Sequence, residues 1–253
     1  MTDSADTQAA SDFPQHSLLK SLGLHILPGI LTTVAFLVFK PLLDASGYPP
    51  LLAFLLAVLV VDLPVLLGVM LFEGKTLNGR YSLKGVVPYR DKLSWKTFVL
   101  VFVGAFVIIY ILMMAVTPLN HVFTERIFSG LPKWMFLEEP TQYNAYVKDM
   151  LLVAFTLQMV VTGVALPWVE EWYFRGYLMS RLSRYGTWTP LLGGVFFGLY
   201  HVWQLYDFPI VCLFGVALGY VVWWKRDIRV SICLHVLANS LMRVMMVMTV
   251  MAM

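Results

Sequence analysis

Three short stretches in the last third of the sequence carry residue types that can do chemistry. The first is PWVEEWYFRG, residues 167–176. On a helix, Glu171 and Arg175 stand at i,i+4, share a face and can pair. Glu170 is turned about 100° away and has no such partner in its own helix. The pair can pin one carboxylate and leave the other free to bind water. The second stretch is FFGLYH, residues 196–201, with His201 about midway along an apolar window. The third is HVLAN, residues 235–239. Its spacing puts the His235 imidazole and the Asn239 carboxamide on one helix face. Each stretch alone has a plainer reading: an acid–base cluster at a helix end, a histidine bonded to a carbonyl, a hydrogen bond between helices. Together they are the parts of a water-activating hydrolytic site. A carboxylate takes a proton from water, and a histidine orients that water or shuttles the proton. An asparagine and a second histidine donate to the oxyanion of a tetrahedral intermediate. No serine or cysteine nucleophile is needed.

The elements that must hold these residues are membrane helices. The chain has 253 residues, of which 59% are hydrophobic and 13% charged. A soluble domain carries about 25% charged residues, so this chain has too little polar side chain to cover a soluble surface. Mean hydropathy of +0.76 agrees. Soluble, fibrous and disordered classes are excluded, and the net charge of +3 makes no case for a nucleic-acid partner. A crossing helix needs about 20 apolar residues. Windows 22–39, 51–72, 97–116, 151–168, 190–206, 208–224 and 232–253 qualify approximately. The fold class is therefore an all-α polytopic transmembrane helix bundle of about seven spans, within a range of six to eight. Among the charged residues, only Asp62 and Arg243 fall inside these windows, as the cost of a charge in hydrocarbon requires. His201 lies about 11 residues, roughly 16 Å, into its window, so a small slide of that span is needed to bring it level with Glu170 and His235.

Basic residues concentrate in segments 73–96, 169–189 and 225–231, with Lys20 before the first window. The positive-inside rule places these segments and the N-terminus in the cytoplasm, and an odd span count leaves Met253 outside. Residues 1–20 are polar and read as a disordered tail; residues 21–253 read as one membrane domain. Segment 117–150 mixes Phe123, Ile127, Phe128 and Trp134 with charges and could hold an interfacial helix. Cys212 and Cys233 sit in apolar stretches and read as small buried hydrophobes.

The motifs carry a resemblance. EEWYFR fits the EExxxR motif of the CPBP family, the CAAX-protease and bacteriocin-processing (Abi) membrane proteins. FGLYH fits its FxxxH motif and HVLAN its HxxxN motif, in the family's order, and FGVALGYVVWW supplies the glycine-rich helix before the last. The resemblance spans about 160–240. It is similar to the type II CAAX prenyl endopeptidases, which are intramembrane glutamate proteases. It implies that Glu170 and His201 activate water, that His235 and Asn239 form the oxyanion hole, and that Glu171 and Arg175 support the site. It also implies a peptide or protein substrate that is prenylated or membrane-associated, no cofactor, and a multi-pass place in a prokaryotic plasma membrane.

The expected activity is thus a metal-independent glutamate-type endopeptidase cutting a peptide bond at or near the membrane. One alternative is a zinc metalloprotease with Glu170, His201 and His235 as ligands, although no HExxH is present. Another is a non-catalytic scaffold or transporter, in which Asp62 and Arg243 would matter as much as the motifs. Asp62, close before Pro64, reads as a hydrogen-bonded kink, with a supporting or transport role as the alternative. Gly194/Gly198 and Gly215/Gly219 read as close helix packing, and the methionines after residue 240 as flexible filler.

Overall fold

The structure, a computed structural model, describes residues 13–137 and 143–252. Residues 1–12 of the expected tail, Met253, and 138–142 of the 117–150 segment lie outside the described residues. The chain is an all-α bundle, and among the described residues the only β pairing is an isolated bridge between Arg90 and Asp227. Helix α1 is Leu18–Asp44, α2 is Pro50–Asn78 and α3 is Trp95–Ile127. Helix α4 spans 148–178, α5 is Thr189–Tyr200, α6 is Phe208–Lys225 and α7 is Ile228–Ala252. Among the described residues, six stretches are long and apolar enough to cross a membrane; one of them, Lys148–Tyr200, contains both α4 and α5. These two are parted by a 3-10 run, Met179–Trp188, which breaks at Gly186 with φ 55° and ψ −128°. Only glycine enters that region without strain.

Several boundaries depart from the sequence windows for local reasons. Ser17 accepts from the Lys20 amide and starts α1 at Leu18, so residues 13–20 are ordered onto the bundle. Segment 169–189, counted as a charged loop, is helical apart from the break at Gly186. Arg175 and Arg181 from that segment are buried. The helix can continue through these charges because each finds partners inside the protein, as burial of a charge demands. The window 190–206 is not one helix: α5 ends at Tyr200, and Val202–Asp207 is a 3-10 turn. Of segment 117–150, residues up to Ile127 extend α3. Cys233 is exposed on α7 rather than buried.

Four basic segments meet at one end of the bundle. The His16 amide donates to the Arg181 carbonyl at 2.9 Å. Arg181 donates to the Val86 carbonyl at 2.8 Å. The Asp91 amide donates to the Arg226 carbonyl at 3.0 Å. Near the far end, Lys148 donates to the Met251 carbonyl at 2.7 Å. The last described residues therefore lie at the end opposite His16.

The main core joins Phe36 of α1, Leu51, Phe54 and Leu66 of α2, Phe155 and Phe174 of α4, and Phe197 and Tyr200 of α5. Two close approaches seat α5. A Cβ on Gly194 would lie 2.3 Å from the Val216 backbone nitrogen of α6, and one on Gly29 of α1 would lie 1.8 Å from the Tyr200 carbonyl oxygen. Neither position can carry a side chain without moving backbone. Helix α3 packs loosely, with Leu100, Val103, Val107, Ile108 and Ile111 exposed, as suits a lipid-facing edge.

Candidate active site

Prolines shape the helices that carry the polar residues. Pro167 has no N–H, and the turn before it widens so that the Leu166 amide bonds to the Val161 carbonyl. The Thr162 carbonyl thus loses both helical donors it could have had. Asn239 of α7 fills the vacancy, its Nδ2 donating to that carbonyl at 3.0 Å. The next carbonyl, Gly163, accepts from the Ser240 hydroxyl at 3.3 Å. In α2 the same device precedes Pro64, where the Leu63 amide reaches back to Val58 and Asp62 falls in the widened turn.

The i,i+4 pair read from the sequence is present. Arg175 donates to Glu171 Oε1 at 2.7 Å, and both side chains are buried. His235 also donates to that oxygen, from Nδ1 at 2.8 Å. One carboxylate oxygen therefore ties α4 to α7 and fixes the His235 ring. A second Arg175 nitrogen donates to the Gly215 carbonyl of α6 at 3.2 Å, and the guanidinium lies 4.1 Å from the Phe197 ring centroid. Glu171 and Arg175 form a clamp linking α4, α6 and α7.

Glu170 points elsewhere. His235 Nε2 lies 3.6 Å from Glu170 Oε2, which is beyond a good hydrogen bond. His201 caps α5 with φ −74° and ψ 54°, and its Nδ1 donates to the Phe197 carbonyl at 2.8 Å. That bond fixes the tautomer and leaves Nε2 as an acceptor.

Glu170, His201, His235 and Asn239 all line one cavity of about 380 Å³. Its wall is otherwise mostly apolar, with Phe54, Leu137, Ile210 and Phe214 among the lining residues. Such a mixture of apolar wall and few convergent polar groups is typical of a ligand site. Glu171 and Arg175 do not line it and stand behind it. Helix α5 begins at Thr189, one residue before the window, so His201 is met by Glu170 lying deeper rather than by a slide of its own span. Because α4 runs eight residues beyond Glu170, the carboxyl lies about 12 Å inside the helix end rather than at its mouth. Among the described residues, no three His, Cys, Asp or Glu side chains form a group that could hold a metal ion.

Two further buried polar residues are paired: the Tyr200 hydroxyl donates to Asp62 Oδ2 at 2.5 Å. The sequence flagged Asp62 as a buried acid beside a proline, but gave it no partner. Tyr200 went unread, although it is the neighbour of His201. Only the crossing of α2 and α5 pairs them.

A family model described as Type II CAAX prenyl endopeptidase Rce1-like matches residues 152–241. That stretch, a little over a third of the chain, contains all three motifs. No curated protein and no solved structure matches the chain. The match at residues 152–241 agrees with the likeness to CAAX proteases that the motifs implied.

Proposed function

Starting from that Rce1-like match, we propose that the protein is an intramembrane, metal-independent glutamate endopeptidase. The single observation carrying this reading is that Glu170, His201, His235 and Asn239, drawn from α4, α7 and the turn after α5, face one cavity. Water held between Glu170 and the His201 Nε2 attacks the peptide carbonyl carbon as Glu170 takes its proton. The carbonyl oxygen becomes an oxyanion. Asn239 has one amide N–H on Thr162 and a second for that oxygen. His235 already donates from Nδ1 to Glu171, so it donates from Nε2 as well only when the ring is protonated. Collapse breaks the C–N bond, and the leaving amine takes the proton back from Glu170. The substrate is a peptide or protein tail at the membrane, prenylated as the family description suggests. The end of the bundle that gathers His16, Arg181 and Arg226 faces the cytoplasm in this reading, by its excess of basic residues.

The test uses purified protein in lipid nanodiscs and a prenylated CAAX peptide. Glu170→Gln is expected to abolish cleavage while the protein stays folded. Asn239→Ala, which removes one oxyanion donor, should slow kcat by about 10²–10³. Activity should survive exhaustive chelation. Wild-type rates in Glu170→Gln would sink the mechanism. Stoichiometric zinc, with activity lost on chelation and restored by zinc, would replace it with metal catalysis.

A further inference from the structure

Arg243 is the intramembrane cation that the proposed chemistry does not use. It is buried on α7, and of the described residues lining the cavity around Glu170 it is the sole lysine or arginine. The carboxylates in that wall are Glu170 and Asp207, and Asp207 accepts from the Asn120 amide at 2.8 Å. A cation at membrane depth is costly and marks a place where an anion or a carbonyl is met. His235, Asn239 and Arg243 follow at intervals of four on α7, so they share a face, each about 6 Å further along the axis.

Thr162 of α4 positions the last two of them. Its carbonyl accepts from Asn239 Nδ2 at 3.0 Å. Its hydroxyl donates to the Gln158 carbonyl at 3.1 Å, which leaves the oxygen lone pairs for Arg243, whose Nε donates to them at 3.3 Å. By bond lengths the two oxygens of one threonine are within about 4.5 Å of each other, so Arg243 Nε lies no more than about 11 Å from Asn239 Nδ2. An extended chain covers about 3.3–3.6 Å per residue. A peptide whose reacting carbonyl oxygen sits at Asn239 therefore reaches the guanidinium with a group two or three residues towards its C-terminus.

Resting on the reading that Asn239 meets the oxyanion, we propose that Arg243 is a specificity-determining residue that binds the free α-carboxylate at the end of the substrate chain. A carboxylate carried between Phe54, Leu137 and Phe214 leaves water and must be paired there. The guanidinium has five N–H donors in a planar fork that fits a carboxylate with two parallel bonds, and it can hold Thr162 and a ligand together. A plain helix contact does not account for the charge. Asn239 and Ser240 already tie α7 to α4 through neutral groups, at 3.0 and 3.3 Å. A neutral amide at position 243 would make the bond to Thr162 without the cost of a buried cation. The substrate is then the end of a chain rather than an internal loop, and the distance from Asn239 to Arg243 fixes how far from that end the cut falls.

The test uses one prenylated CAAX peptide in two forms, C-terminal acid and C-terminal amide, with the protein in nanodiscs. In wild type kcat/KM should favour the acid by about 10- to 10²-fold, the scale of hydrogen bonds to a charged group, mostly through KM. In Arg243→Gln the ratio should fall close to one. Arg243→Lys keeps the charge and loses the fork, and should retain part of the preference. A residue that merely ties α7 to α4 would change the melting temperature and leave the ratio as in wild type. Binding without turnover is read by titrating the two labelled peptides into Glu170→Gln. The acid should bind tighter by the same factor, and adding Arg243→Gln should remove the difference. If wild type cuts acid and amide equally while Glu170→Gln is inactive, or if the preference survives Arg243→Gln, the subsite is wrong and the glutamate mechanism stands. Failure of both peptides to bind Glu170→Gln overturns the subsite as well. If Glu170→Gln is active, the mechanism itself fails, and the acid-to-amide ratio in Arg243→Gln still decides the subsite.

Discussion

Replacing Glu171 by glutamine tests whether the acids are divided between chemistry and architecture. Glu171 has no exposed surface, and its Oε1 accepts from both Arg175 at 2.7 Å and His235 at 2.8 Å. The glutamine amide oxygen can still accept, but the negative charge opposite the buried guanidinium is gone. Removing one partner of a buried ion pair costs about 3–5 kcal/mol, because the other charge is left uncompensated. Arg175 keeps its bond to the Gly215 carbonyl and its place over the Phe197 ring, so the lower end, about 3 kcal/mol, applies. Against a total stability of about 5–15 kcal/mol, that is a large fraction. The assay is thermal unfolding in one detergent, with peptide cleavage expressed per folded molecule. Glu171→Gln should melt well below wild type and lose activity, because His235 is no longer oriented. Glu170→Gln should melt near wild type and be inactive. Removing both charges together, as Glu171→Gln with Arg175→Met, should cost less than the sum of the two single changes. A Glu171→Gln variant as stable as wild type, or strict additivity in the double variant, would refute the clamp.

Three other perturbations have definite expected outcomes. Gly29→Ala places a methyl 1.8 Å from the Tyr200 carbonyl oxygen, so α1 must separate from α5; a fall in unfolding temperature with loss of cleavage is expected, and a neutral result would overturn the close approach. His16 lies outside the spans, and burial, aided by the charges of Lys20, Arg181 and Arg184, lowers its pKa from 6.5 to about 4. A base depressed on folding binds more protons unfolded, so its contribution is complete above about pH 6.5 and is lost as pH falls towards 4. His16→Gln should flatten the pH dependence of the melting temperature across that window, and an unchanged slope would disprove the linkage. Pro167→Ala returns an amide donor to the widened turn that presents Thr162; it should leave stability unchanged or raised, yet lower kcat by about tenfold as Asn239 loses its anchor.

The bundle and the likeness of residues 152–241 to the CAAX proteases were legible because both rest on local pattern. Apolar windows separated by basic segments define membrane helices, and three motifs with fixed i,i+4 spacing survive any uncertainty in helix ends. The Glu171–Arg175 pair followed from helix geometry alone, and it holds although the turns there are wider than an ordinary α-helix. The charge census erred in one place for the same reason that the site exists. Arg175 and Arg181 were counted with the loops, but each is satisfied inside the bundle by partners distant in sequence, such as Gly215 and Val86. A one-dimensional window cannot see such partners. The bond from His235 to Glu171 and that from Tyr200 to Asp62 were likewise out of reach, since they depend on which helices cross.

The prolines show how the fold and the site share a cause. A proline within a helix removes a donor and disturbs the turn before it. In hydrocarbon the freed carbonyl has no water to bond, so another helix must supply a donor. Pro28 frees the Leu24 carbonyl of α1, and the Tyr173 hydroxyl of α4 donates to it at 2.8 Å. Pro167 and the shifted Leu166 amide free the Thr162 carbonyl of α4, and Asn239 of α7 donates to it at 3.0 Å. Both bonds end on or start from α4, the helix that carries Glu170 and Glu171. Its depth and rotation are therefore set by directional bonds as well as by packing of apolar side chains, which alone discriminates weakly between rotations in lipid. The Thr162 carbonyl is also what aims the Asn239 carboxamide into the cavity. An asparagine held at one N–H by a backbone oxygen loses little freedom when its other N–H meets a developing charge, which is the preorganisation that an oxyanion site requires.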